Sequence, residues 1–476
     1  MPIHRKRSAT AALSASLMLC FAAATGTSSA APGDPGNPRF AEGEPGVGDP
    51  YFPLAGNGGI DVQSYDLDLD YEPPAEGADL VGQLDGRATI TLVPTKDLAS
   101  FHLDLRNLEV ESVTVNGKRA RYTHENTELE ITPRPKLREG RTTEVVIEYG
   151  GATTRPTDVE GALYGWVTTA DGAMVVSEPD GSPTWYPVND HPTDKATYTF
   201  EITVPQGLVA VANGELVDES VSNGRTTWSW DAPDPMASYL VTSTVGNFEL
   251  NTSYADDGTP IIDAVDKDLA PSASESLTLV PEMMAFFTER YGDYPFTTYG
   301  NIVDDDSTGY ALETQTRSFY SEVAVEGTVA HELGHQWMGN HVSPQEWDEI
   351  WLNESWATYS TWLWDEEQGR ATAQESFEEV LATPADDPFW DVVISDPGAT
   401  NLFAGAVYDR GAATLHALRN EIGDDAFFAL AQTWVERYGG GTASTADFIA
   451  LAEEVSGQDL ETLFAVWIET PQRPNV

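Results

Sequence analysis

The amino-acid sequence predicts a multidomain α+β protein, with a strand-rich first half followed by a mainly helical second half. Three observations carry that prediction. Apolar and polar residues alternate in short runs from Tyr65 to Trp230. From Leu279 onward the apolar residues fall instead at helical spacing. Asn-Gly pairs, which favour tight hairpins, occur at Asn116-Gly117, Asn213-Gly214 and Asn223-Gly224, all in the first half.

Taken in order, the chain opens on a basic segment, His4 to Arg7, and a mostly apolar or small run, Ala11 to Ala24. Ser28-Ser29-Ala30 then offers a small-x-small cleavage site. Residues 1–30 therefore read as a secretory signal peptide, and the mature protein as secreted. The apolar run is too short and alanine-rich for a transmembrane helix, so no stable membrane anchor is expected. Cys20, the single cysteine, lies inside this signal, which excludes disulfides and thiol catalysis from the mature chain. Residues 31–58, rich in Pro, Gly and Asp, read as a flexible leader.

The charge is strongly acidic. Removal of residues 1–30 leaves 22 basic against 77 acidic residues, a net −55. Such a field repels nucleic acid and anionic membranes, so neither is expected as a partner, and it favours solubility in water or brine. Asp304-Asp305-Asp306 reads as a solvated acidic turn.

Half-buried strands are expected around Tyr65–Tyr71, Ala88–Leu92, Phe101–Leu105, Tyr198–Val204 and Thr226–Trp230. They place a β-domain at residues 59–248. Residues 249–476 form the second domain. Helices are expected at Leu279–Tyr291, Ser321–Met338, Asp348–Gln368, Ala406–Ile422, Asp424–Tyr438 and Thr445–Trp467, several closed by glycine.

Within the helical half, residues 331–354 read HELGHQWMGNHVSPQEWDEIWLNE. His331 and His335, four apart on a helix, stack on one face and can reach one metal ion. Glu332 lies beside that ion rather than on it. Glu354 follows on the next expected helix. Two histidines and a carboxylate leave one position of a tetrahedral zinc open, as catalytic zinc requires; structural zinc would need a fourth protein ligand. His341 is a competing third ligand, six residues after His335. That spacing resembles the third histidine of the metzincin peptidases, but that class carries a glycine three residues after its second histidine, where Met338 stands here, and a methionine further downstream, of which there is none. Glu354 is the preferred third ligand. Zinc-activated water with Glu332 as general base and acid is the chemistry these residue types support.

HELGH, eighteen intervening residues and the glutamate of WLNE resemble the gluzincin aminopeptidases related to aminopeptidase N and leukotriene hydrolase. The resemblance extends over most of residues 60–470, through TWYPVNDHPTDKATYTFEITVP, PMASYLVTSTVGNFEL, YGDYPF and FAVWIETPQRP. It implies a saddle-like N-terminal β-domain joined to a thermolysin-like catalytic domain, one zinc ion, and peptide substrates with a free N-terminus. It also implies roles. Glu313, in Gly309-Tyr310-Ala311-Leu312-Glu313-Thr314, takes the position that holds the substrate's α-amine, with Ala311 beside it at the substrate. Tyr310, Leu312 and Thr314 depart from the family's commonest motif there. Glu178 matches a second amine-facing residue. Tyr408, in AVYDRGAATLHALR, matches the catalytic tyrosine, which stabilises the oxyanion. Many members continue into a further helical domain for which this sequence has no room, which implies a more open cleft. The function expected is therefore a secreted zinc aminopeptidase. A secreted zinc endopeptidase and a non-catalytic peptide-binding protein remain as alternatives, and the oligomeric state is open.

Overall fold

A computed structural model describes residues 40–158 and 161–475. The expected signal peptide, and the leader up to residue 39, lie outside the described residues. The first half is built on an eight-stranded sheet that contains the parallel pair Ala196–Pro205 and Ile60–Glu72. Ile60–Glu72 also pairs antiparallel with Gly82–Pro94, which pairs with Thr143–Thr153. Strict alternation puts Tyr65, Leu67, Leu69 and Tyr71 into the core, while Asp66, Asp68 and Asp70 face solvent.

Two four-stranded sheets complete this half. Asn116-Gly117 and Asn223-Gly224 both take positive φ and close hairpins, as expected. Asn213-Gly214 does not. It passes the chain from one sheet to another, and the buried Asn213 amide donates to the Leu240 and Gln315 carbonyls.

A five-stranded sheet follows, in the order Phe248–Tyr254, Pro260–Asp266, Tyr299–Asp304, Ser318–Ser321 and Ala311–Leu312. The helices then run α1 (Val280–Tyr291), α2 (Glu326–His335), α3 (Trp351–Glu367), α4 (Ala373–Ala382), α5 (Gly405–Ile422), α6 (Asp424–Tyr438) and α7 (Thr445–Ser456). One buried cluster gathers residues from Ile60 to Phe248 with a few from the five-stranded sheet. A second, rich in tryptophan, gathers the helices.

Several expectations need correction. Ser321 ends a strand, and Glu322 takes φ 64°, so α2 begins only at Glu326. It also stops at His335, before the expected Met338. Thr445–Trp467 is not one helix: Gly457 takes a left-handed conformation and ends α7, and a short helical turn follows at Glu461–Phe464. α4, with its Thr372/Glu375 capping box, was not anticipated. The acidic turn is not fully solvated. Asp304 is buried and accepts the Asp306 amide, while Asp306 pairs with Arg155 at 2.6 Å.

The described part of the supposed leader is also structured. Ala41–Glu42 pairs with Leu98–Asp104. Asp49, 3 % exposed, accepts the amides of Tyr51, Phe52 and Trp347 at 2.8–2.9 Å and lies 3.4 Å from His191 Nε2. The Tyr51 hydroxyl bonds Asp396 and accepts the Gly398 amide. Residues 49–52 thereby strap the β-sheets to the helices. Pro and Gly content signalled a lack of regular structure here, and the chain is irregular yet packed.

Candidate metal centre and active site

α2 and α3 pack directly on one another, because Gly334 of α2 meets Ser360 of α3 where a side chain would not fit. That approach brings His331 and His335 of α2 against Glu354 in the first turn of α3. His331 Nε2 lies 3.2 Å from Glu354 Oε2, His335 Nε2 lies 3.4 Å from the same oxygen, and the two Nε2 atoms are 3.1 Å apart. A tetrahedral ion with bonds of about 2.0–2.1 Å holds neighbouring ligand atoms roughly 3.3 Å apart, so the triangle has the size zinc needs. His335 Nδ1 faces the Met338 carbonyl at 3.2 Å, which fixes the ring so that Nε2 turns into the triangle. Two imidazole nitrogens and one carboxylate suit zinc and leave a position open. His341 is not in this cluster; its ring packs edge-on against Phe296.

The charge balance points the same way. Glu178, Glu313, Glu332 and Glu354 share one cavity of about 680 Å³ whose lining contains no lysine or arginine. Glu354 is held down at about 2, because the two histidines outweigh the burial that would raise it. Burial and the neighbouring carboxylates push Glu178 well above its ordinary value. Burial likewise raises Glu313, with His335 opposing and Glu354 adding to the rise. A site with this surplus of buried carboxylate calls for cations, one a metal and one from a ligand.

The sequence-predicted residues converge here. Glu332 is 4 % exposed and lies on α2 between the two histidines of the triangle. Tyr408, on α5, stacks its ring on His331 with centroids 6.0 Å apart, and burial keeps its hydroxyl protonated far above neutrality. Ala311 lies on the edge strand Ala311–Leu312, which delivers Glu313 to the cavity. Glu178 Oε1 and Glu313 Oε1 are both buried with no hydrogen-bond partner among the described residues. Sequence reasoning placed Tyr310 in the substrate-facing motif, and it lines the cavity, but the cavity's Trp362 and Phe403 were not assigned to the site. The Tyr310 hydroxyl bonds the Leu163 carbonyl, a contact between distant segments that no local pattern announces.

Fold and cavity together define a metallopeptidase class, and the comparisons identify the family. The Peptidase M1 N-terminal domain matches residues 62–240, and the Peptidase family M1 domain matches residues 278–467. The chain belongs to peptidase family M1. It is 24 % identical over 456 residues to a leucyl aminopeptidase of Saccharolobus solfataricus, covering 88 % of this chain and 54 % of the relative. It is 26 % identical over 457 residues to aminopeptidase N of Streptomyces lividans, covering 86 % and 50 %. The chain thus spans about half the length of the curated relatives it matches. An M1 zinc metallopeptidase from Deinococcus radiodurans superposes with a TM-score of 0.82 at 29 % identity, covering 90 % of this chain and 99 % of that one. A mutant of that enzyme has been solved bound to a Tyr-Ser-Ala substrate. The two-part architecture is that of this family, a β-rich N-terminal part followed by the mainly helical catalytic part.

Proposed function

We propose that the protein is a secreted zinc aminopeptidase that removes single residues from the N-termini of peptides. The observation that carries this reading is the pair of buried, unpartnered carboxylate oxygens of Glu178 and Glu313, in the cavity that holds the metal triad. A substrate's α-ammonium satisfies both through charge-assisted hydrogen bonds, roughly 1.5–3 kcal/mol each. It thereby sets the scissile bond one residue from the amine.

His331, His335 and Glu354 would hold the zinc. When bound, it supplies Lewis acidity, lowering the pKa of water toward neutrality and polarising the scissile carbonyl. Glu332 takes the proton of the attacking water and hands it to the leaving amine. Tyr408 donates its hydroxyl to the developing oxyanion. Ala311 lines the path of the substrate on the edge strand. We place a β-domain at 59–248 and a catalytic domain at 249–476; the two buried clusters follow that division in the main, with Ala237, Tyr239 and Leu240 joining the helical cluster and Ala264, Ile302, Leu312 and Phe319 the β-rich one. Secretion is supported by the basic, apolar and small-residue order of residues 1–30, and no helix among the described residues is long and apolar enough to cross a membrane.

Hydrolysis of aminoacyl chromogenic substrates by purified protein tests the reading. Activity should disappear on chelation, return with zinc, and be absent from zinc-loaded Glu332→Gln. Undiminished activity in the chelated protein or in Glu332→Gln would overturn it.

A further inference from the structure

The backbone carbonyl of Glu313 receives two side-chain amides, and both come from the turn that follows His335. Gln336 Nε2 donates to it at 3.1 Å and Asn340 Nδ2 at 2.7 Å. Both side chains are fully buried. Gln336 uses its other end as well, since its Oε1 accepts the Thr316 amide at 2.9 Å. Thr316 is a β-branched residue at φ 63°, a conformation that costs about 1–3 kcal/mol and persists only where its surroundings impose it. Asn340 is fixed in turn. Its backbone N–H donates to the His335 carbonyl at 2.9 Å, and its backbone carbonyl accepts from the half-buried Lys195 Nζ at 2.9 Å.

These bonds link two groups that the fold brings in on different elements. Glu313 follows an edge strand, whereas His335 ends α2. Glu313 Oε1 has no hydrogen-bond partner among the described residues, whereas its backbone carbonyl is held by two, so the peptide is a fixed point from which the side chain enters the cavity. We infer that Gln336 and Asn340 are positioning residues that hold Glu313 at a fixed distance from the metal ligands and so determine how strictly a free α-amine is required. The inference rests on Glu313 as the amine anchor. Neither residue touches the substrate. Each acts through the Glu313 peptide, and displacement of an anchoring group by about 1 Å can cost roughly a hundredfold.

Two ligands separate this role from general structural support. Leucine hydroxamate offers a metal-chelating group and an α-amine, while its N-acetyl twin offers the chelating group alone. Both are titrated calorimetrically into zinc-loaded wild type, Gln336→Met, Asn340→Ser and Glu313→Gln, with zinc content measured for each. Gln336→Met is nearly isosteric, and Asn340→Ser leaves room for water, so the two variants probe folding differently. The expected result is a fall of about tenfold in affinity for leucine hydroxamate in both positioning variants, with affinity for the N-acetyl twin and zinc content unchanged. Unchanged affinity for both ligands, or a parallel loss of both, would overturn the inference. Glu313→Gln separates the two layers of the argument. If it abolishes amine preference while the positioning variants keep it, only the present inference fails. If Glu313→Gln itself keeps the preference, the anchor reading fails and this inference falls with it.

Discussion

Substitution of Asp49 tests whether residues 49–52 hold the two halves together. The carboxylate serves three backbone amides and one imidazole. Oδ1 accepts Tyr51 and Phe52 at 2.8 Å, and Oδ2 accepts Trp347 at 2.9 Å with His191 Nε2 at 3.4 Å. Trp347 is fully buried and immediately precedes α3, which carries Glu354. In Asp49→Ala the Trp347 amide is orphaned at a cost of about 1–3 kcal/mol. The Tyr51 and Phe52 amides are less buried and recover water, adding roughly 0.5–1 kcal/mol each. The expected destabilisation is therefore about 2–5 kcal/mol. Asp49→Asn can keep the oxygen facing Tyr51 and Phe52 but turns its NH2 toward Trp347, so it should lose roughly the first part alone, about 1–3 kcal/mol. Urea unfolding of zinc-loaded protein at pH 7, followed by tryptophan fluorescence, gives the three midpoints. The order wild type, Asp49→Asn, Asp49→Ala is predicted. Coincident midpoints for wild type and Asp49→Ala would refute the reasoning and return this segment to a passive leader.

Other outcomes follow from the site and the buried charges. Tyr408→Phe removes the hydroxyl proposed as oxyanion donor and should lower kcat about a hundredfold or more with little change in KM, measured on a chromogenic aminoacyl substrate. Chelation should lower the thermal midpoint and zinc should restore it, because an ion bound at a thousand times its Kd contributes about 4 kcal/mol to the folded state. Burial, opposed in part by the Asp306 amide, raises Asp304 to about 8. A carboxyl raised on folding stabilises the native state fully below its unfolded value, and that contribution is lost as pH rises through the folded value. Asp304→Asn, which keeps an acceptor for the Asp306 amide, should therefore flatten the decline in urea midpoint between pH 5 and pH 8. An unchanged slope would count against that assignment.

What the sequence made legible depended on local periodicity. His331, His335 and Glu354 could be read because helical spacing places the histidines on one face, and four of the five alternating strands because each buries every second residue; in Phe101–Leu105 Asp104 is buried beside Leu103 and Leu105. Features set by contacts between distant segments were not legible. Asn213 looked like a hairpin residue, yet its amide is used to tie Leu240 to Gln315. Ser321 looked helical, but parallel pairing with Asp304 and the positive φ of Glu322 delay α2. Residues 49–52 carry no periodic pattern, and only the buried Asp49 with its partners reveals that they are packed. Gln336 and Asn340 sit inside the stretch that identified the metal site, but nothing in their spacing indicates that both reach the Glu313 carbonyl. Glu178, Glu313 and Tyr408 came from family resemblance rather than from pattern, and the cavity is where segments distant in sequence meet.

The most direct measurement follows a peptide and its N-acetylated twin by mass spectrometry during incubation with zinc-loaded protein. The free-amine peptide should shorten one residue at a time from its N-terminus while the acetylated twin stays intact. Cleavage of both at the same internal bond with equal rates would contradict it.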